Sequence, residues 1–321
     1  MGRIQHWVRG VAQSADLVLA ASVDGFLRVW RKKDGVLVLE MKTPNNKAAN
    51  AVAVQGKLAV LGTDGGGLLL MDLATVSVLH ALEGHTGGVY SVVFDGNDVI
   101  SGSYDETICV WDTVSGQMRS RIDVGQRVYG VAIHEDLLVA GLKDNTVRVF
   151  DRASGDPRHV LTEATNEVTA VAIDAQHMVS GSWDCKVRVY AVPSFELVHV
   201  LEGHNYSVRS VALDKFRIVS GSDDNTIRVW DARSGDLLHV LQGHADTVLS
   251  VSLAGQEIVS GSWDQSVRVW DTEMVALARV LDGTEAEMPI SEIFATETES
   301  DAKTEQANEN PAESRPFCSI L

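Results

Sequence analysis

This sequence has few cysteines and no long apolar segment. Only 3 cysteines occur among 321 residues, and Cys109, Cys185 and Cys318 form no Cys-x-x-Cys pair. No apolar run approaches the ~20 residues that a membrane-spanning helix needs, and the start, MGRIQHWVRG, has no apolar core of a signal peptide. These features favour a reducing intracellular compartment, so we expect a cytoplasmic protein, with the nucleus as an alternative.

Positive charge is also scarce. The chain has 27 Lys and Arg against 44 Asp and Glu, which gives a formal net charge of −17. The Lys and Arg residues form no basic stripe along the sequence. Because a negative surface repels phosphate backbones, we predict that nucleic acid is not a partner.

Catalytic and metal-binding patterns are lacking as well. The sequence has no GxSxG elbow and no Cys/His pairing with a local signature. The glycine-rich residues 62–67 open no predicted helix, so they are not a phosphate loop. Pairs of histidines five residues apart recur at one position of a repeat, which indicates a structural role and not a metal site; they are His80 with His85, His199 with His204, and His239 with His244. We predict no enzymatic activity, no cofactor and no metal.

What the sequence does contain is a repeat of about 40 residues. In each copy an Asp stands in a turn of small residues, and a large apolar or aromatic residue follows six or seven positions later. The aspartates are Asp24, Asp64, Asp105, Asp144, Asp184, Asp224 and Asp264, followed by Trp30, Met71, Trp111, Phe150, Tyr190, Trp230 and Trp270. A period of ~40 residues with several short β-rich runs is typical of a propeller blade. The sequence therefore predicts an all-β, seven-bladed propeller.

One copy shows how a blade is built. Residues 208–213, 217–222, 226–230 and 237–241 are predicted as strands a, b, c and d, separated by turn residues. Asp223, Asp224 and Asn225 supply the turn between strands b and c, because their side chains bond the nearby backbone. The same plan fits every copy, so we assign residues 1–283 to the propeller and residues 284–321 to a separate tail.

The ends of the predicted ring raise the question of closure. Only about five residues precede strand a of blade one, and residues 276–281 already supply strand d of blade seven. We therefore expect the ring to close through apolar faces of blades seven and one, and we expect this seam to be the weak point.

The tail is acidic and poor in large apolar residues. From residue 284 onward, 9 acidic side chains stand against 2 basic ones, a net charge of −7. Such a composition cannot bury enough surface to offset chain entropy. We predict disorder over residues 296–317 and at most a loosely docked strap over residues 284–295.

The last four residues, Cys318 to Leu321, fit the C-a-a-X prenylation pattern, with Cys318 as the candidate lipidation site. The same residues also suit capture of a free carboxylate by a groove domain, and a chance match is the third alternative. Prenylation would tether the protein to a membrane, and otherwise we expect no membrane contact.

Three short patterns in the repeat resemble the WD40-repeat family. They are GHNYSVRSV, VSGSDD and IRVWD, and their register extends over nearly 280 residues. The short link between strands a and b resembles the blades of F-box/WD ubiquitin-ligase receptors in particular, but so few residues precede blade one that we expect no F-box.

The resemblance implies a buried hydrogen-bonded set in each blade: the His of Gly-His, the turn Asp, a Ser of the SGS run and the strand-c Trp. Three blades match it, with His85, Asp105 and Trp111 in blade three, His204, Asp224 and Trp230 in blade six, and His244, Asp264 and Trp270 in blade seven. Blades four and five have Val124 and Ala164 in place of the His. Blade two has Met71 in place of the Trp. We expect these three blades to rely more on packing.

The resemblance also implies where partners bind. WD40 propellers often hold peptides on the top face with one residue before each turn Asp and another after the first Val of strand a. The first set is Val23, Thr63, Tyr104, Lys143, Trp183, Asp223 and Trp263, and the second is Arg9, Asn50, Tyr90, Tyr129, Thr169, Arg209 and Leu249. Five of these fourteen are Trp or Tyr, although the whole chain has only 7 Trp and 5 Tyr.

Aromatic and Arg side chains on a rigid rim are typical of binding hot spots. The alternative is that the rings merely seal the top of the channel. We predict protein or peptide ligands, and a non-catalytic scaffold that is itself monomeric within a larger complex. The predicted partner-binding residues are Arg9, Tyr90, Tyr104, Tyr129, Lys143, Trp183, Arg209 and Trp263. Their cations lie on different blades, so a peptide with apolar anchors and one acidic group fits better than a phosphopeptide.

A further resemblance suggests an alternative function. Residues 218–233, IVSGSDDNTIRVWDAR, resemble the box ending in W-D-x-R by which WD40 substrate receptors dock on the adaptor of cullin-RING ubiquitin ligases. Trp230, Asp231 and Arg233 would form the docking site, with Arg233 as the diagnostic cation. The alternative interpretation of Arg233 is an ordinary solvated turn residue.

Overall fold

The computed structural model describes residue 4 and residues 6–273 and 276–281. In this part of the chain the strands form seven antiparallel sheets of four strands, and each sheet uses strands that are consecutive in sequence. None of the helices in the described ranges is long and apolar enough to cross a membrane. The predicted tail and its C-a-a-X end at Cys318 lie outside the described residues.

The sheets are numbered as blades one to seven. Blades one to four contain β1 (Val8–Gln13), β2 (Leu17–Ser22), β3 (Phe26–Arg31), β4 (Leu37–Lys42), β5 (Ala49–Gln55), β6 (Leu58–Thr63), β7 (Leu68–Asp72), β8 (Ser77–Leu82), β9 (Val89–Asp95), β10 (Asp98–Ser103), β11 (Thr107–Asp112), β12 (Met118–Asp123), β13 (Val128–His134), β14 (Leu137–Leu142), β15 (Val147–Asp151) and β16 (Pro157–Leu161). Blades five to seven contain β17 (Val168–Ile173), β18 (His177–Ser182), β19 (Val187–Ala191), β20 (Leu197–Leu201), β21 (Val208–Leu213), β22 (Arg217–Ser222), β23 (Ile227–Asp231), β24 (Leu237–Leu241), β25 (Val248–Ala254), β26 (Glu257–Ser262), β27 (Val267–Asp271) and β28 (Ala276–Leu281). A short 3-10 helix, Pro44–Asn46, connects blades one and two.

The prediction of an all-β, seven-bladed propeller is confirmed. In blade six the predicted bounds of strands a, b and d agree with β21, β22 and β24. Strand c begins at Ile227, one residue later than predicted. Oδ1 of Asp224 accepts hydrogen bonds from both the backbone N–H and Oγ1 of Thr226, so the turn aspartate fixes the residue that directly precedes the strand.

Apolar contacts between neighbouring blades hold the ring together. Each of the seven buried apolar clusters combines side chains from two adjacent blades. Strand b is the most deeply buried element, and all six residues of Leu17–Ser22 and of Leu137–Leu142 are buried. Such strands can be covered on both faces only when blades stack, which explains why one repeat could not fold alone.

Residue sizes match across these blade interfaces. A Cβ atom on Gly261 of blade seven would lie only 2.5 Å from Cγ1 of Val8 in blade one, so the valine fills the space that the glycine leaves. Where blade one has Ala21 at the glycine position, blade two has Ala49 at the valine position, and both alanines are buried in the cluster that joins these blades. Ala21 is larger than the usual glycine, and Ala49 is smaller than the usual valine, so the space between the two blades stays filled.

The ring closes between blades seven and one through side chains, as expected. The buried cluster at this seam contains Ile4, Val8, Val11, Val18, Ala20, Trp30, Leu37, Val259, Val267, Val269 and Leu281. Polar contacts, which were not predicted, add to it: the N–H of Val11 donates to Oγ of Ser250 at 3.1 Å, and Lys32 pairs with Glu257 at 2.9 Å. The same kind of backbone-to-serine bond joins other blades, so the weakness of the seam stays a prediction.

Blades three, six and seven contain the buried polar set that the resemblance implies. In blade six Nδ1 of His204 lies 2.8 Å from Oδ2 of Asp224, and Nε2 lies 2.8 Å from Oγ of Ser220. Trp230 Nε1 donates to the same Ser220 oxygen at 2.9 Å. Burial alone would raise the pKa of Asp224, but hydrogen bonds from His204 and Thr226 lower it below its usual range. The carboxylate therefore stays ionised inside the blade.

The expectation that blades four and five rely more on packing is wrong. In blade four Arg148 of strand c pairs with Asp144 at 2.5 Å, and in blade five Arg188 pairs with Asp184 at 2.7 Å. Blade one uses the same type of pair, between Arg28 and Asp24. The guanidinium reaches the turn carboxylate from strand c and replaces the missing histidine, because it can donate several hydrogen bonds in one plane.

Blade two differs from the predicted alignment by one residue. Gly66, with φ of 86°, occupies the left-handed turn position that Glu106, with φ of 71°, occupies in blade three. The equivalent of the turn Asp is therefore Gly65, and Asp64 takes the top-face position assigned to Thr63. Thr63 is buried, and its Oγ1 donates to the carbonyl of Gly67 at 2.8 Å. Met71 stands seven residues after Asp64 and not six, which was the signal for this shift.

Blade one suggests a stabilising substitution. Nε1 of Trp30 is buried and has no hydrogen-bond partner among the described residues, because Ala20 stands where blade six has Ser220. We predict that Ala20→Ser raises the free energy of unfolding by about 1 kcal/mol, since its hydroxyl would accept the indole N–H. Urea denaturation measures the change.

Blade four supplies the matched control. Ala140 occupies the same position, but Phe150 replaces the Trp and has no N–H to donate. Ala140→Ser should therefore lower the stability by about 1–3 kcal/mol, because it buries an unpaired hydroxyl. Equal effects of the two substitutions would contradict the assignment of an unpaired Trp30.

Candidate functional site

A cavity opens at the centre of the top face, which is formed by the turns between strands b and c and the links between strands d and a. Its volume is about 240 Å³, and its lining residues are Trp7, Arg9, Asn50, Tyr90, Tyr104, Tyr129, Thr169, Trp183, Arg209, Leu249 and Trp263. Strand a of every blade borders the central channel below it. Among the described residues that line the cavity, the only charged ones are Arg9 and Arg209.

The structure brings together most of the predicted partner-binding residues. Seven of the eight line the cavity, and Lys143 is exposed but lies outside it. All seven residues predicted from strand a also line it, because strand a is the innermost strand. Trp7 was missed, since it precedes the first strand and no repeat position marks it. Its side chain is 41% exposed and lies against Trp263.

The aromatic rings pack on one another around the rim. The Tyr90 and Tyr104 rings stack with centroids 3.9 Å apart, and Tyr129 meets Tyr104 edge-on at 5.3 Å. On the opposite side the Trp7 and Trp263 rings stack at 4.7 Å. Because each ring is fixed by a neighbour, little side-chain freedom remains to be lost when a ligand binds.

The tyrosine hydroxyls are hydrogen-bond donors held in place by acidic residues outside the cavity. Tyr129 donates to Oε2 of Glu167 at 2.6 Å, and Tyr90 donates to Oδ1 of Asp64 at 3.2 Å. Burial raises the pKa of Tyr104 to about 12, and burial together with the Glu167 bond raises the pKa of Tyr129. These phenols therefore remain protonated near neutral pH.

The two arginines of the cavity have different environments. Arg209 is neutralised by Asp223, since its Nε and Nη2 each lie 2.7 Å from a carboxylate oxygen. Arg9 donates to neutral groups, to Oδ1 of Asn50 at 2.6 Å and to the Tyr90 hydroxyl at 3.3 Å, and no ion pair joins it to a carboxylate in the described ranges. Arg9 is therefore the charged group that the cavity offers to a ligand.

The box at residues 218–233 lies elsewhere on the propeller. Trp230 is only 2% exposed and is used inside blade six, so it cannot contact an adaptor as the alternative hypothesis required. Oδ1 of Asp231 accepts hydrogen bonds from the backbone of Arg233 and Ser234, and these bonds lower the pKa of Asp231. Only the Arg233 side chain is well exposed, in the link between β23 and β24 on the face opposite the cavity.

The paired histidines have structural roles in the described blades. His85, His204 and His244 each contact the turn Asp of their own blade. Nε2 of His80 lies 3.0 Å from the carbonyl of Val114 in the next blade, and Nε2 of His199 lies 3.0 Å from the carbonyl of Arg233. For the pairs that begin at His80 and His199, the spacing is thus explained by contacts within and between blades.

Comparisons with known proteins agree with the propeller. The family model described as WD40, "WD domain, G-beta repeat", matches residues 76–112, 155–191, 195–231 and 235–271. The F-box/WD-40 repeat-containing protein At5g21040 of Arabidopsis thaliana is 30% identical over 138 residues, which cover 39% of this chain and 25% of that protein. The Periodic tryptophan protein 2 homolog of Caenorhabditis elegans is 31% identical over 108 residues, 33% of this chain and 12% of that protein.

A solved structure extends the match to the whole ring. The computationally designed Ika8 protein superposes with a TM-score of 0.71 at 27% sequence identity, covering 90% of this chain and 93% of that one. The two sequence relatives named above, in contrast, are matched over a quarter of their length or less. The similarity to those two relatives therefore covers the repeats only and says nothing about the activity of either whole protein.

The Trp7–Trp263 stack should couple the first residues of the propeller to blade seven. We predict that Trp7→Ala lowers the free energy of unfolding by about 1 kcal/mol, because a stacked aromatic pair contributes ~0.5–1.5 kcal/mol beyond its buried area. A double-mutant cycle with Trp263→Ala measures the coupling in urea. Trp7→Ala combined with Trp183→Ala is the control and should be additive. If the two substitutions were additive in both cycles, the stack would contribute no coupling free energy to stability.

Proposed function

Because the chain is a seven-bladed β-propeller with WD40 repeats, we propose that it is a non-catalytic scaffold that binds protein or peptide partners on its top face in an intracellular complex. The observation that carries the proposal is the cavity rim, where Trp, Tyr and Arg9, which has no carboxylate partner in the described ranges, converge on a rigid frame. These residue types dominate binding hot spots, and fixed side chains lower the entropy that binding costs.

The chemistry of the cavity supports binding over catalysis. Its lining includes no His, Cys, Asp, Glu or Lys among the described residues. Its one aliphatic hydroxyl, on Thr169, already donates to the carbonyl of Val208 at 2.6 Å. A nucleophile with an adjacent base, which covalent catalysis needs, has no candidate here.

Trp183 and Trp263 provide the main test. We predict that replacing both with Ala weakens partner binding by about 2 kcal/mol or more, because truncated aromatic hot spots typically lose that much. Stability should fall far less, since rim residues lose only one face of packing. Affinity purification from cells with quantitative mass spectrometry measures recovery, and thermal melting measures stability.

The matched control is Trp230→Ala. This tryptophan is buried in blade six, so its loss should cost roughly 3–5 kcal/mol of stability. If the double variant melted as early as Trp230→Ala while its folded fraction kept every partner, the rim would be structural and the proposal would fail.

Exposure of Arg233 supports a second candidate, a substrate receptor of a cullin-RING ubiquitin ligase. The side chain is exposed and forms no ion pair within the part of the chain that the structure describes. We predict that Arg233→Ala abolishes recovery of the ligase adaptor and leaves the melting temperature unchanged.

Lys33→Ala is the control for this second candidate, because Lys33 occupies the same loop position in blade one. It should leave adaptor recovery unchanged. Wild-type protein that recovers no adaptor, or an Arg233→Ala variant that recovers it in full, would remove this candidate without affecting the scaffold proposal.

A further inference from the structure

The chain leaves the described propeller near the cavity. Leu281, the last described residue, pairs with Val267 at the end of the blade-seven sheet where the turn carrying Trp263 lies. The sequence continues for 40 residues, from 282 to 321. Its next residues therefore start on the face that bears the cavity.

The distance to the cavity is short. Blade seven has four strands, with β28 outermost and β25 bordering the channel, so three spacings of ~4.8 Å place them about 14 Å apart. An extended chain covers ~3.4 Å per residue, so eight residues after Leu281 span up to about 27 Å. A segment that begins near residue 285 can thus cross the cavity from blade seven.

The sequence of this segment complements the cavity. Residues 285–294, EAEMPISEIF, contain three glutamates and no basic residue, with Met288, Pro289, Ile290, Ile293 and Phe294 between or after them. The cavity offers a guanidinium with no carboxylate partner in the described ranges at Arg9, and the stacked apolar rings of Trp7 and Trp263 close to where the chain emerges. A glutamate of this segment can thus form an ion pair with Arg9 while its apolar side chains pack against Trp7 and Trp263.

We propose that residues 285–294 of this chain bind across the top-face cavity, with the Glu292 carboxylate at Arg9 and Phe294 against Trp7 and Trp263. The inference rests on the proposed function, because it uses the same binding surface. It adds the chemistry of the ligand: an acidic segment with bulky apolar residues. External partners then compete with this segment for the cavity. We expect their binding segments to be acidic and to contain bulky apolar residues as well.

The outer strand of blade seven is the competing location. Leu277 and Val280 are exposed there, and they could cover apolar side chains of the segment. Arg279 on this strand donates to the backbone carbonyls of Lys32 and Lys33, so, like Arg9, it has no carboxylate partner in the described ranges. The outer strand as described carries no aromatic ring, whereas the cavity offers the stacked rings of Trp7 and Trp263 to Phe294, and this difference favours the cavity.

The test places a photo-reactive residue in the full chain. Phe294→p-benzoylphenylalanine is irradiated, and the cross-linked peptides are identified by mass spectrometry. We expect cross-links within one chain to peptides that contain Trp7 or Trp263. Arg9→Gln should weaken docking by about tenfold, the loss expected for one charge-assisted hydrogen bond, and lower the yield accordingly. Lys143→Gln, which removes a charge outside the cavity, should leave the yield unchanged.

Other outcomes overturn the inference. Cross-links to residues 276–281, or none to the two tryptophan peptides, would place the segment elsewhere. Cross-links found only between isotopically distinct copies would assign the site to a second chain. If cross-linking fails while the Trp183 and Trp263 double variant still loses its partners, only this inference is wrong. If cross-linking succeeds and that variant keeps every partner, the proposed function is wrong.

Discussion

The aspartate in the turn between strands b and c is the group on which most blades depend. It is largely buried, and a buried ionised carboxylate is costly unless it is paired and fully hydrogen-bonded. The chain satisfies it with a histidine in blades three, six and seven and with a strand-c arginine in blades one, four and five. The same carboxylate also binds turn backbone groups, as Asp224 does at Thr226. A histidine and an arginine therefore support the same turn geometry in different blades.

This turn geometry also positions the binding face. The residue directly before the Asp projects from the top of the blade, which is how Tyr104, Trp183 and Trp263 come to surround one cavity. In blade two the turn lacks this carboxylate, and the arrangement changes. Glycines form its turn, and Asp64 moves to the rim, where it accepts a hydrogen bond from Tyr90. The electrostatic character of the cavity thus depends on how each turn is stabilised.

The sequence was sufficient for the blade number, for nearly all strand bounds of blade six, where they were predicted in full, and for the side chains of strand a that border the channel. These depend on a period of about 40 residues and on strand alternation, which are local properties of the chain. The partner of a side chain was harder to predict. The strand-c arginines resemble ordinary alternating positions, and only the fold shows that Arg148 and Arg188 meet their turn aspartates. In the same way, no pattern distinguished Arg209, paired with Asp223, from Arg9, which has only neutral partners among the described residues.

Among the described residues the ring closes without an exchanged strand, and this has a consequence for the history of such a chain. Every sheet is complete within one stretch of the sequence, so each repeat is a self-contained genetic unit. Duplication or loss of one unit would leave no strand without its partners, and the cut that defines the two chain ends could lie between any two blades. The number and order of blades can therefore change by recombination between repeats, provided that small and large residues still alternate across each new junction.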